Sequence, residues 1–403
     1  MKAARHATAP VFAAAHASHP DASMALGLAL AQLEAQAPAA PTLGWCYLAE
    51  AHAAQAEAVL AALARQWPGV AWVGASAAGL CAGGVEYFDE PALVLMLCDL
   101  PRAHFRVFSG RQPLPPAEVF PAHVAQVHAD PATPDLDELI KELSQRMASG
   151  YLFGGLASAR SRALSFADGV CAGGLSGVAF DAEIALVSRV SQGCQPLGRI
   201  HRIDEAERQI VYRLDGEPAL DVLLRELGLD ENRPREMLGR LRQTLVALGD
   251  DGARSARRGG LFGPDERVRH LVGLDPARRA IAVAEAVEPG QTLSFCRRDA
   301  DAARRDLLRL GAEIRSTLEP EELPLDGSPA PGGRRMVAAL YASCTGRGGA
   351  HFGAPSAEME LLRHALGGEA EALPLAGFFA AGEIGHHHLY GYTGVLTVFT
   401  APA

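Results

Sequence analysis

The stretch "ALVLMLCDLPRAHFRVF", Ala92 to Phe108, decides the fold class. Its first seven residues and its last six both read as strands. Only Asp99, Leu100, Pro101 and Arg102 lie between them, too few for the crossover that joins parallel neighbours. The two runs are therefore expected to pair as a hairpin, which excludes a simple doubly wound sheet.

On the N-terminal side, "TLGWCYLAE" and "VAWVGAS" read as strands flanking the helix "AHAAQAEAVLAALARQ". Further upstream, Asp21 is placed to cap a helix whose Met24, Leu26, Leu28, Leu30 and Leu33 imply that it is largely buried. The opening "MKAARHATAPVFAAAHASHP" resembles a signal peptide only weakly, because His16 breaks its apolar run, and a first strand is the preferred reading. On the C-terminal side, helices are expected near 117–128 and 136–148. A glycine-dense series of short strands follows from 150 to 214, again with turns that imply antiparallel pairing. "CAGG" occurs at Cys81 and at Cys171, but one tetrapeptide does not establish a duplication. Beyond "RLDGEPALDVLLRELG" the expected elements are a helix near 235–248, strands near 268–274, 279–285 and 291–296, and the helix "DADAARRDLLRLGAEIRS". The acidic, proline-rich segment 318–335 reads as a mobile loop. The chain closes with strand "MVAALYAS", helix "SAEMELLRHAL" and strands "LPLAGFFAAG" and "GVLTVF". The fold class is thus mixed α/β, α+β-like, in two domains, 1–215 and 216–403, with largely antiparallel sheets covered by helices.

Bulk properties narrow the function. A chain of 403 residues exceeds what one hydrophobic core usually organises. A net charge of −10 excludes the basic footprint of a nucleic-acid binder, and no segment is apolar for the length of a membrane span. Seven cysteines without CxxC spacing argue against a disulfide framework or structural zinc and fit a reducing cytoplasm.

Two motifs carry candidate chemistry. "YASCTGRGG", Tyr341 to Gly349, places Cys344, Arg347 and several glycines in one turn after an apolar strand. It lacks P-loop spacing, and two residues between Cys344 and Arg347 are too few to wrap an oxyanion. What remains is a turn offering backbone N–H groups at Gly346 and Gly348 and one arginine fork, which suits a carboxylate. Cys344 reads as a packing residue bordering the site; the competing reading is a Cys344-dependent hydrolase or transferase with His351 as base. The second motif, "GFFAAGEIGHHHLYGYTG", sets Glu383 in apolar surroundings, where a carboxylate needs a cation or several donors; Arg347 and Arg298 are the candidates. A structural ion pair and a ligand-binding role are both open for it. His386, His387 and His388 read as a solvated loop rather than a metal site, and Tyr390, Tyr392 and Thr393 either line a pocket or pack.

At these motifs the chain resembles the FIST family of sensory proteins. The resemblance rests on "VGASAAGL", "YLFGGLAS", "SQGCQPLG" and "LDGEPALDVL" in the N-terminal half, and on "VEPGQTLSFCRRDADAA", "SCTGRG", "FFAAGEIG" and "LYGYTGVLTVF" in the C-terminal half. It departs from the family pattern in its three histidines and at Gly394, where a larger residue is common. The resemblance implies a bacterial, cytoplasmic, non-catalytic sensor of a small ligand, an amino acid or related metabolite. Its output would pass in trans to a histidine kinase, cyclase or chemotaxis protein. Arg347, Glu383, Arg298, Cys344, Gly346, Gly348, Tyr392 and Thr393 would line the ligand site, Arg347 taking a carboxylate and Glu383 an ammonium or hydroxyl. No cofactor is expected, although the resemblance also covers haem-binding nitric-oxide sensors, for which His201, His386 or His388 would be the axial candidates.

Overall fold

The computed structural model describes residues 9–230, 232–250, 266–320, 333–367 and 373–403. The segment 318–335, read as mobile, lies mostly outside the described residues. The chain forms two compact units, one of Met1–Val190, Leu307–Leu389 and Thr393–Ala403, the other of Ser191–Asp306 and Tyr390–Tyr392.

The first unit is built from one topology used three times. The first copy runs β1 (Phe12–Ser18), α1 (Ala22–Glu34), β2 (Leu43–Ala49), α2 (Ala56–Gln66), β3 (Ala71–Ala77), the hairpin β4 (Gly79–Ala82) and β5 (Val85–Phe88), and β6 (Ala92–Cys98). Here β2 and β3 are parallel, and β6 inserts antiparallel between β1 and β2. The second copy is β7 (Phe105–Phe108), β8 (Val124–Ala129), α3 (Leu136–Gln145), β9 (Tyr151–Leu156), the hairpin β10 (Ser165–Ala167) and β11 (Val170–Cys171), and β12 (Leu175–Phe180). Again β8 and β9 are parallel and β12 lies between β7 and β8. The third copy starts with β13 (Leu186–Ser191) and is interrupted by the second unit.

That second unit contains β14 (Cys194–Pro196), β15 (His201–Glu207), β16 (Ile210–Leu214), β17 (Glu217–Pro218), α4 (Ala219–Leu227), α5 (Pro234–Leu241), β18 (Thr244–Gly249), β19 (Arg267–Asp275), β20 (Ala280–Val283) and β21 (Thr292–Arg298). The sheet runs β21-β15-β16-β20-β19-β18 and closes on itself through β18–β21, all antiparallel. Leu220, Leu223 and Leu224 of α4 join Ile203, Val211, Val246 and Phe295 in its core. The third copy of the first unit then resumes with α6 (Ala300–Leu318), β22 (Arg334–Cys344), α7 (Ala357–Leu366), β23 (Leu375–Ala380), the hairpin β24 (Glu383–His386) and β25 (His388–Tyr390), and β26 (Gly394–Pro402).

The three sheets have the orders β1-β6-β2-β3-β10-β11, β7-β12-β8-β9-β24-β25 and β13-β26-β22-β23-β4-β5. Each copy thus completes its sheet with a hairpin from another copy. The equivalence extends to single residues. Gly74, Gly154 and Gly377 sit opposite Cys46, Val127 and Tyr341 in the three parallel pairs. A Cβ at each would lie 1.8, 2.1 and 2.1 Å from the partner's carbonyl oxygen, so no side chain fits there. The two "CAGG" segments are not equivalent in this scheme: one ends β4, the other leaves β11.

Helices cover the outer faces. Asp21 caps α1 by accepting from the Met24 amide at 2.9 Å, as read. However, Met24 and Leu28 are about half exposed, and only Ala22, Ala25, Leu26, Ala29 and Leu33 are buried, so α1 presents one face inward rather than being largely buried. The inner faces meet in a shared core, where Phe399 lies 4.8–5.8 Å from the rings of Phe12, Trp45 and Phe180. A polar chain crosses it: Trp45 donates to Gln126 (2.5 Å), Gln126 donates to the Tyr47 hydroxyl (3.0 Å), and that hydroxyl lies 3.2 Å from His128 Nε2.

Mixed sheets confirm the fold class, but three further expectations are corrected. Ala92–Cys98 and Phe105–Phe108 do not form a hairpin: both sides of β6 are occupied by β1 and β2, and a helical turn at Arg102–His104 sends β7 to another sheet. The helix near 117–128 is absent, and Val124–Ala129 is instead the buried strand β8. The helix near 235–248 ends at Leu241, and its second half is β18. Asp215, where the sequence divides the two domains, lies in the turn between β16 and β17, and the compact units divide after Val190 and after Asp306.

Candidate functional site

In the first unit β22 ends at Cys344, and the loop that follows folds back under α7. Arg347 is fully buried, and its Nε and Nη2 each lie 2.8 Å from Glu358 Oε1. Glu358, also buried, accepts from the Tyr341 hydroxyl at 2.8 Å and from Ser343 Oγ at 2.9–3.0 Å. The Arg347 guanidinium stands 5.4 Å over the Phe352 ring. Although burial opposes its charge, Glu358 holds Arg347 firmly protonated. Gly394 is explained by the same cluster, since a Cβ there would lie 2.2 Å from the Tyr341 hydroxyl.

Glu383 begins β24, buried beside this pair. Its Oε2 accepts from the Thr393 amide (3.1 Å) and hydroxyl (2.7 Å), and the Cys344 amide donates to the Thr393 carbonyl at 3.0 Å. Burial pushes its carboxyl up to about 8, against the opposing pull of Thr393, Arg347 and the Cys344 thiol. A third carboxyl, Glu86 on β5, accepts from the Glu358 and Met359 amides at the start of α7 (3.0 and 3.2 Å). Burial and the neighbouring Glu358 raise it to about 7. The Gly346 amide donates to Cys344 Sγ at 3.4 Å, and Gly348 packs where a Cβ would lie 2.3 Å from Phe88.

The structure therefore brings Cys344, Gly346, Arg347, Gly348, Glu383 and Thr393 together, as the sequence suggested. Arg298 and Tyr392 pair with each other in the second unit, with the guanidinium 4.9 Å over the ring and the Tyr392 hydroxyl 2.8 Å from His270. Glu358 was missed, because an acidic residue in the first turn of an amphipathic helix reads as a surface charge. Of the histidines, His201 has both ring nitrogens engaged at 2.8 Å, by Asp215 and Glu226. His386 ends β24 with its ring 4.3 Å from Tyr151, and His387 and His388 lie 4.0 Å apart. Among the described residues no group of histidine, cysteine and acidic side chains is arranged to hold a metal.

A second feature was not legible as a site. A cavity of about 530 Å³ opens at the carboxyl ends of the parallel pair β8–β9, lined by Asp130, Ser158, Arg160, Arg162 and several alanines. The crevice beyond the carboxyl ends of parallel strands is where α/β sheets commonly hold ligands. The signal was present in "ASARSRAL", two arginines directly after the strand "YLFGGLAS".

The charged cavity and the buried charge cluster are parts of one framework, and that framework matches a family of sensory, signal-transduction domains. Residues 42–217 match the FIST N domain and residues 219–386 match the FIST C domain, and the chain belongs to the FIST family. An uncharacterized protein of Mycobacterium tuberculosis is 33% identical over 376 residues, covering 89% of this chain and 91% of its own. An uncharacterized protein of Mycobacterium bovis is 31% identical over 398 residues, covering 94% and 96%. Among the described residues no helix is long and apolar enough to cross a membrane.

Proposed function

We propose that this FIST protein senses a small ligand, an amino acid or related metabolite, and acts in trans on a signalling partner such as a histidine kinase, cyclase or chemotaxis protein, without catalysis or a cofactor. The observation that carries the reading is the charged cavity at the ends of β8 and β9, whose volume lies in the range of small-molecule sites. The Arg347 fork is already closed on Glu358, so the ligand's charges are assigned to the cavity rather than to the Cys344 loop. A non-catalytic Cys344 fits a buried thiol at the end of an apolar strand whose Sγ is already engaged by the Gly346 amide. Native mass spectrometry of the purified chain, followed by thermal melts across an amino-acid and metabolite panel, tests the reading. A bound small molecule, or a melt raised by one member, is expected; no adduct and no shift for any compound would refute it.

A further inference from the structure

We infer that this cavity takes a small acidic zwitterion, a molecule with two carboxylates and one ammonium, held by Arg162 and Arg160 at the carboxylates and by Asp130 at the ammonium. The inference rests on the small-ligand reading above.

The threefold framework singles out the loop. In the first copy only Ala78 separates β3 from its hairpin, and in the third only Ala381 and Gly382 separate β23 from β24. In the second copy Ala157 to Leu164 intervene between β9 and β10. The framework closes twice without such a segment, so packing does not call for it. The extra loop carries both arginines and forms one side of the cavity.

The loop is also held in place by the first copy. Glu50 accepts from the Ser161 amide at 2.7 Å. Ser76 Oγ donates to the Arg162 carbonyl (3.0 Å) and accepts from the Leu164 amide (2.9 Å), while the Ser76 amide donates to the Leu164 carbonyl (2.9 Å). At the base of the loop Ser158 Oγ accepts from the Ala78 amide and donates to the Phe379 carbonyl. The backbone on both sides of Arg162 is thus fixed before any ligand arrives, which lowers the ordering cost of binding.

Charge then selects the ligand. Arg162 forms no ion pair among the described residues. Arg160 pairs with Asp89 at 2.5 Å and also faces the Glu50 carboxylate, but the Arg160 and Asp89 side chains are both more than half exposed, so a ligand carboxylate can replace Asp89 at little cost. Asp130 is partly buried and uses Oδ1 to accept from the Ala132 amide at 2.8 Å. Of the side chains lining the cavity, two guanidiniums and one carboxylate are complemented by two carboxylates and one ammonium. The apolar lining is alanine with Pro131 and Leu164, and it offers no aromatic ring for a larger side chain to stack on.

The test is calorimetric titration of the full chain with L-glutamate and L-aspartate, beside L-alanine, which lacks the second carboxylate, and succinate, which lacks the ammonium. An acidic amino acid should bind about tenfold or more tightly than either control. Arg162→Ala should weaken it by about tenfold or more, with Arg162→Lys restoring only part, because an ammonium lacks the planar fork. Asp130→Asn should weaken the amino acid and not succinate. Melts of these variants, all at cavity-lining positions, are expected to match the parent chain. Equal affinity for alanine and glutamate, or unchanged glutamate affinity in Arg162→Ala, would overturn the inference while leaving the sensor reading intact. No binding of any of the four, with another molecule retained in native mass spectra, would also overturn it alone; no ligand by either method would remove both.

Discussion

Replacing Arg347 by alanine should destabilise the first unit strongly, and the size of the loss follows from what Glu358 keeps. Removing one partner of a buried ion pair typically costs about 3–5 kcal/mol, because the other charge is left without compensation. Glu358 would still accept from Tyr341 and Ser343 and would still sit in the first turn of α7, which places the expected loss near the lower end, about 3 kcal/mol. For a unit of this size, with an unfolding entropy of about 2.1 cal/mol/K per residue, that corresponds to a fall of about 5 °C in the melting temperature. The companion change Glu358→Gln removes the charge but keeps the shape, so the double variant should recover much of the loss relative to Arg347→Ala. Differential scanning calorimetry on the four members of the cycle measures both effects, with ligand titrations run in parallel. A melt of Arg347→Ala within about 2 °C of the parent would refute the structural assignment, and loss of ligand affinity without loss of stability would restore Arg347 to the ligand.

The raised carboxyls set a pH dependence: Glu383 at about 8 and Glu86 at about 7 bind protons in the folded chain that the unfolded chain releases above its ordinary range near 4.5. Stability should therefore fall as pH rises between about 5 and 8, by at most about 1.4 kcal/mol per pH unit for each group, and Glu383→Gln should flatten the slope; a stability rising over that range in urea melts would contradict it. Fragments 1–215 and 216–403 expressed separately should each fail to fold, because β4 and β9 pair with β23 and β24 across that cut, and a soluble, cooperatively melting fragment would count against the three-sheet arrangement. Gly154→Ala should prevent folding or lower the melt severely, since its Cβ would meet the Val127 backbone; circular dichroism showing a native-like melt would mean that β8 and β9 tolerate separation.

Local signals in the sequence were reliable where the causes are local. The Asp21 cap, the helix of the Glu358 segment and the strand–helix–strand order around α2 all follow from spacing and side-chain type. Partner choice did not follow. The short link after Cys98 does exclude a parallel crossover, but a hairpin was only one of the remaining options, and competition from β1 and β2 for the two sides of β6 comes from distant residues. Val124 to Ala129 looked helical because alanine, glutamine and histidine carry weak strand preference; burial on both faces decides the matter. In the candidate site the grouping of Cys344, Arg347, Glu383 and Thr393 was legible from glycine-rich turns holding charges in apolar surroundings. The partner that closes Arg347 was not, and the cavity depends on Asp130 after β8 lying beside the Arg162 loop after β9, a proximity that the β8–β9 pairing and the loop's hydrogen bonds to Ser76 create together.

The exchange of hairpins among the three sheets sets a schedule for synthesis. The sheet begun by Phe12 waits only for Ser165 and its neighbours, but the β4–β5 hairpin, made early, has no place to dock until Leu375–Ala380 has been translated. Until then Gly79–Phe88 is a nascent segment with open edges, in need of a chaperone or of rapid elongation. Once Cys81 pairs with Gly377 the circuit closes, and no single sheet of the framework can be peeled away without opening the other two. Because these pairings join residues far apart in sequence, such a closed circuit is expected to assemble slowly and to unfold slowly.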